Sequence, residues 1–76
     1  MILLGTEHIE VADVNHELAG VYTAQGKYRE AEELYKKALA IREETLGEEH
    51  PDTASSYYNL ADLYHTLYRK ALDIKE

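Results

Sequence analysis

Four histidines and fifteen carboxylates are the side chains of this 76-residue chain best suited to chemistry. Two of the histidines follow an aspartate at a spacing of three, as Asp13–His16 and Asp62–His65. On a helix that spacing puts carboxylate and imidazole on one face, where both could bind a divalent metal. Neither pair has further ligands nearby, so ordinary helix surface is the stronger reading. His8 and His50 lie in matching short motifs and read as capping or solvated linker residues. The sequence holds no His-Glu-x-x-His, no nucleophile with its base and no glycine-rich phosphate loop. The expectation is a non-catalytic protein without cofactor or metal, whose carboxylates form a solvated face.

Composition narrows the classes further. Charged residues make up 30% and hydrophobic residues 45%, a globular balance within the size of one small domain. No apolar run approaches the length of a membrane span. Met1-Ile2-Leu3-Leu4 is too short for a signal core and lacks a basic flank. The formal net charge of −7 argues against nucleic acid or an anionic membrane as partner. Cysteine is absent, which fits a cytoplasmic origin and removes disulfides and thiolate zinc as stabilisers. A core this small supplies no more than about 3–5 kcal/mol, which leaves oligomerisation as the remaining support.

The elements that carry these residues come from an internal repeat. Leu4-Gly5-Thr6-Glu7-His8 returns as Leu46-Gly47-Glu48-Glu49-His50, an offset of 42 residues. The match continues through Ala12 and Ala54, Leu18-Ala19 and Leu60-Ala61, and Tyr22 and Tyr64. Then the register changes: Leu34-Tyr35-Lys36-Lys37-Ala38-Leu39 returns as Leu67-Tyr68-Arg69-Lys70-Ala71-Leu72 at an offset of 33. The two segments match at 8 of 21 and 7 of 10 positions. The nine residues Gln25 to Glu33 have no counterpart in the second copy. The chain therefore divides into a complete repeat, 4–45, and a repeat with a nine-residue deletion, 46–76, in a single domain.

Periodicity predicts a first helix from about Glu10 to Ala24, with Val11, Val14, Leu18, Val21 and Tyr22 as its apolar stripe and Ala12 and Ala19 as a small-residue face. Gln25-Gly26-Lys27 is a turn. A second helix runs from Tyr28 to about Thr45, with Tyr28, Ala31, Leu34, Tyr35, Ala38 and Ile41 at helical spacing. Gly47 ends it, and Pro51 is placed to open a third. After Pro51 no Gly or Pro occurs, and Leu60, Leu63, Tyr64, Leu67, Tyr68, Ala71 and Ile74 stay in phase. The expectation is one continuous helix over about 52–75, where the intact repeat has two.

Leu18, Ala19, Tyr22, Ala31, Tyr35 and Ala38 have the spacing of a tetratricopeptide repeat. The Leu46–Asp52 linker and Gln25-Gly26-Lys27-Tyr28-x-Glu30-Ala31-Glu32 resemble the 42-residue subtype of kinesin light chains and related scaffolds. That resemblance covers nearly the whole chain. It implies an all-α superhelix of helix–turn–helix units whose concave surface binds peptides or proteins. Such arrays need about three units for stability, so fewer than two complete repeats fit an excised or engineered unit.

In the family the first helix of each repeat lines the concave face. This implies a peptide groove of Asp13, His16, Gly20 and Thr23 with Ser55, Tyr58, Asp62 and His65, suited to a basic or neutral peptide. Tyr22, Tyr64, Tyr35 and Tyr68 are expected to pack in the core, and Tyr57 and Tyr58 to lie exposed or at an interface. The deletion suggests a further partner. With no turn, residues 67–76 cannot fold back on 52–66 of the same chain, but they can on a second copy. The expectation is a domain-swapped homodimer with antiparallel third helices, its interface built from Leu60, Leu63, Tyr64, Leu67, Tyr68, Ala71, Leu72 and Ile74.

Overall fold

The computed structural model describes the backbone of residues 5–75 and the side chains of residues 8–72. Three helices follow in order: α1 (Gly5–Ala24), α2 (Tyr28–Leu46) and α3 (Pro51–Lys75). The fold is all-α, and α2 is central, packed against α1 on one side and α3 on the other.

Both turns depend on glycine. At the end of α1 the Gly26 N–H donates to the Thr23 carbonyl at 3.0 Å and the Lys27 N–H to the Tyr22 carbonyl at 2.8 Å. This is the Schellman arrangement, and it requires the positive φ of 82° that Gly26 adopts. Gly47 closes α2 with φ 91° and its N–H shared between the Arg42 and Glu43 carbonyls. Pro51 then opens α3, where the missing N–H costs nothing. The His50 imidazole Nδ1 accepts the Asp52 N–H at 3.0 Å, which gives this linker histidine its capping role.

α1 begins at Gly5 rather than near Glu10. Within the repeated motif, Gly5-Thr6-Glu7-His8 is helical, whereas the matching Gly47-Glu48-Glu49-His50 forms the turn between α2 and α3. Ile9 stands where the second copy has Pro51, and isoleucine lets a helix run through where proline must start one. α3 runs 25 residues without a break, as the loss of the turn predicts.

The core is built from small residues between helices. Ala12, Ala19, Ala31 and Ala38 are fully buried, which lets the backbones of α1 and α2 approach closely. Tyr35 and Leu63 fill the space beside them, and Tyr22, Tyr28, Leu34, Leu60 and Leu67 pack around that cluster. α1 turns its small-residue face of Ala12 and Ala19 inward and leaves the stripe of Val11, Val14, Leu18 and Val21 exposed. One expectation is corrected here. Tyr64 and Tyr68 are also exposed, although their repeat counterparts Tyr22 and Tyr35 pack in the core.

Candidate functional site

The three helices are locked by one buried cation. Ala31, Tyr35, Ala38 and Arg42 fall on one face of α2, so Arg42 is carried inward with the alanines. Its Nη1 donates to Ser56 Oγ at 2.8 Å, to the Asp52 carbonyl at 3.2 Å and to His16 Nδ1 at 3.3 Å. Its Nη2 meets Asp13 Oδ1 at 2.9 Å. A guanidinium can only donate, so Nδ1 is the acceptor of a neutral imidazole and Nε2 carries the proton. Asn59 Nδ2 lies 3.1 Å from that Nε2 as a contact between two donors, and its own hydrogen bond goes to the Ser55 carbonyl at 2.9 Å; the His16 ring meets Tyr35 edge-on at 5.3 Å. Burial lowers the His16 pKa, and the Arg42 charge lowers it further against the opposing pull of Asp13, Glu17 and Asp52.

This network divides the groove expected from the sequence. Asp13 and His16 face Arg42 and hold helices together. Tyr58, Asp62 and His65 line an open depression of about 410 Å³ with Asn59 and Ala61. Thr23 Oγ1 is turned back on the Ala19 carbonyl at 2.8 Å, Gly20 lies against the Tyr35 hydroxyl, and Ser55 is exposed. Among the described residues no three His, Asp or Glu side chains converge as a metal site. Arg42, Ser56 and Asn59 were not singled out from the sequence. The available signal was a charge in helical register with Ala31, Tyr35 and Ala38.

The expected self-association residues also divide. Leu63 is buried in the chain's own core, and Leu60 and Leu67 pack against the same cluster. Leu63 is thus buried within one chain, while Leu60 and Leu67 are half-buried and keep part of their surface. Lys70 reaches over the Tyr28 ring at 5.6 Å, so α3 follows α2 as far as the start of α2. The Ile74 side chain lies outside the described residues. Tyr64, Tyr68, Ala71 and Leu72 remain exposed.

Together with residues not expected there, they form a seam. Ala54, Tyr57, Ala61, Tyr64, Tyr68 and Ala71 recur at alternating spacings of three and four, the period at which two helices pair along their length. All but the half-buried Ala54 are exposed. The Tyr64 hydroxyl donates to Glu32 at 2.5 Å, and that bond raises its pKa. The Tyr57 hydroxyl bonds Glu43 and is raised for the same reason. Both rings are thus held beside α2 rather than swinging free.

A helix–turn–helix joined to a third helix through small buried residues defines a helical-repeat protein. The family model described as tetratricopeptide repeat matches residues 10–76, and the chain belongs to that family. It is 38% identical over 65 residues to the kinesin light chain-related 1 protein of Arabidopsis thaliana, covering 86% of this chain and 10% of that protein. It is 41% identical over 71 residues to the clustered mitochondria protein of the same plant, covering 93% of this chain and 5% of that one. A nucleotide-binding leucine-rich repeat-like protein of Hyaloscypha variabilis shares 50% identity over 44 residues, 58% of this chain and 4% of its own length. The chain thus spans a tenth or less of each of these relatives. No solved structure matches it. Among the described residues no helix is long and apolar enough to cross a membrane.

Proposed function

We propose that this tetratricopeptide unit is a non-catalytic scaffold that self-associates, two copies pairing their α3 helices antiparallel to form a swapped homodimer. One observation carries the reading. Residues that the first repeat buries between its two helices are exposed on α3, in both of its halves. Ala19 is buried and its counterpart Ala61 exposed; Ala38 is buried and its counterpart Ala71 exposed. The Ala54–Tyr64 part of the seam corresponds to α1, and the Tyr68–Ala71 part to α2. A two-fold axis near Thr66 would bring each part onto its complement in the other chain.

Charge supports the antiparallel sense. Between Pro51 and Thr66 the only formal charges are Asp52 and Asp62, whereas residues 67–75 carry Arg69, Lys70 and Lys75 against Asp73. The pairing sets acidic halves against basic ones. A Cβ at Gly20 would lie 3.8 Å from the Tyr35 hydroxyl. The counterparts are Asp62 and the partner's Tyr68, which sets a carboxylate beside a phenol that can donate to it. Inserting Gln-Gly-Lys-Tyr-Arg-Glu-Ala-Glu-Glu after Thr66 restores the turn. The expected result is a hairpin and a weakened dimer; an unchanged dimer counts against the mechanism.

A second reading rests on the depression at Tyr58, Asp62 and His65. It would make the unit a peptide-binding adaptor for a basic or neutral peptide. Titration with basic and acidic peptide pools separates the two readings, since pure self-association predicts no peptide binding there.

A further inference from the structure

The depression on α3 has a filled twin on α1. Its lining residues Tyr58, Asn59, Ala61, Asp62 and His65 correspond at the 42-residue offset to His16, Glu17, Ala19, Gly20 and Thr23. In the first repeat one side chain, Tyr35, sits on that set. Its ring meets His16 edge-on at 5.3 Å. Its hydroxyl lies 3.8 Å from where a Cβ on Gly20 would stand, and it shares a buried cluster with Ala19. The α1 site is thus a seat for a phenol, and α2 supplies the phenol.

The second repeat carries both halves of this arrangement and cannot join them. At the 33-residue offset Tyr35 corresponds to Tyr68. Tyr68 stands on the same unbroken helix as the seat, about 9 Å along its axis from Asp62. Without a turn between them, the phenol and the seat of one chain never meet. Both remain open: Tyr58 is 77% exposed and Tyr68 64%. One difference between the two seats adds chemistry. Asp62 stands where the first repeat has Gly20. Its carboxylate oxygens lie two bonds beyond that Cβ and can accept a hydrogen bond from a seated phenol. A leucine or phenylalanine in the seat leaves that acceptor unused, so the site favours tyrosine over a purely apolar side chain.

We propose that the depression on α3 is a tyrosine seat, occupied by the partner's Tyr68 when two copies pair. The occupant depends on the swapped homodimer proposed above, and its presence has a consequence for the peptide reading. With a phenol against Tyr58 and its hydroxyl on Asp62, self-association closes the site that a peptide would use. The dissociation constant of the dimer, from sedimentation equilibrium on the whole chain, tests the seat. Tyr68→Phe and Asp62→Ala should each weaken the dimer by about tenfold. The double variant should be no weaker than the weaker single one, because both changes remove the same hydrogen bond. Both side chains are exposed within one chain, so helicity should be retained. Tyr58→Ala, which removes a wall of the seat, stands in if either variant loses helicity and should also weaken the dimer severalfold. A dimer whose affinity is unchanged by these substitutions, or additive losses in the double variant, overturns the seat and leaves the dimer standing. A folded chain at the single-chain mass overturns both. So does not a lack of peptide binding, which the closed seat predicts; a peptide whose binding requires Tyr58 and leaves the dimer mass unchanged overturns the seat.

Discussion

Tyr35 and Tyr68 hold the same place in the repeat, yet Tyr35 is 6% exposed and Tyr68 64%. Leu63 and Val21 also correspond, and there the first copy is the exposed one, 2% against 50%. Side-chain type is the same or similar in each pair, so burial here is decided by which helix stands opposite. α2 covers the inner face of α1 and the inner face of α3. Among the described residues nothing covers the outer face of α1, and the deletion removes the turn that would fold residues 67–75 back over the seam of α3. One repeat pattern thus yields a packed centre and two faces that no described residue covers.

The largest way to break this comparison is at Arg42, whose partners come from both of the helices that flank α2. Arg42→Ala leaves Asp13 and Ser56 without their donor and should cost about 2–4 kcal/mol in urea unfolding, a large part of the stability of so small a core. Asp13→Asn should cost about 1 kcal/mol or less, because that carboxylate is half exposed. Equal losses would mean the guanidinium is not the lock.

Next comes the pair Leu63 and Val21. Leu63→Ala opens the core and should cost about 2–4 kcal/mol. Val21→Ala, its repeat counterpart, should change stability by less than about 0.5 kcal/mol. Similar values at both sites would show that α1's outer stripe is covered in solution.

A smaller and opposite effect is expected at Thr53. Its hydroxyl is fully buried and has no hydrogen-bond partner, while its counterpart Val11 has no hydroxyl to satisfy. Thr53→Val should raise stability by about 1 kcal/mol in the same assay. A loss would show that the hydroxyl is satisfied.

The smallest effect concerns pH. Burial and Arg42 hold the His16 pKa below its ordinary value of 6.5. Below that value the unfolded chain takes up a proton that the folded one still refuses, so stability falls as pH drops. The contribution is complete above 6.5 and is lost toward the lowered pKa. His16→Gln should flatten the stability curve between about pH 7.5 and pH 5.5 relative to the unaltered chain. Parallel curves would place the titration elsewhere.

Most of the backbone could be read from the sequence because its signals are local. Gly26, Gly47 and Pro51 fix the turns, and the absence of Gly and Pro after Pro51 fixes the single helix. Which face goes inward was less legible. Val11, Val14, Leu18 and Val21 make the more hydrophobic stripe of α1, but Ala12 and Ala19 allow the close approach that buries area on both helices. Hydrophobicity alone favours the valines; packing distance favours the alanines. Arg42 was missed because a long cation reads as surface until its four acceptors on other elements are placed. On α3 the helical phase was right, but it was assigned to one face. The structure divides it between Leu60, Leu63 and Leu67 toward α2 and the tyrosine seam toward solvent.

The central claim is that α3 finds its missing complement in a second copy. Sedimentation equilibrium at micromolar concentration tests it most directly. The account predicts a species of twice the 8.7 kDa chain mass, shifted toward the single-chain mass by Tyr68→Ala with helicity retained. A folded species at the single-chain mass across that range would contradict it.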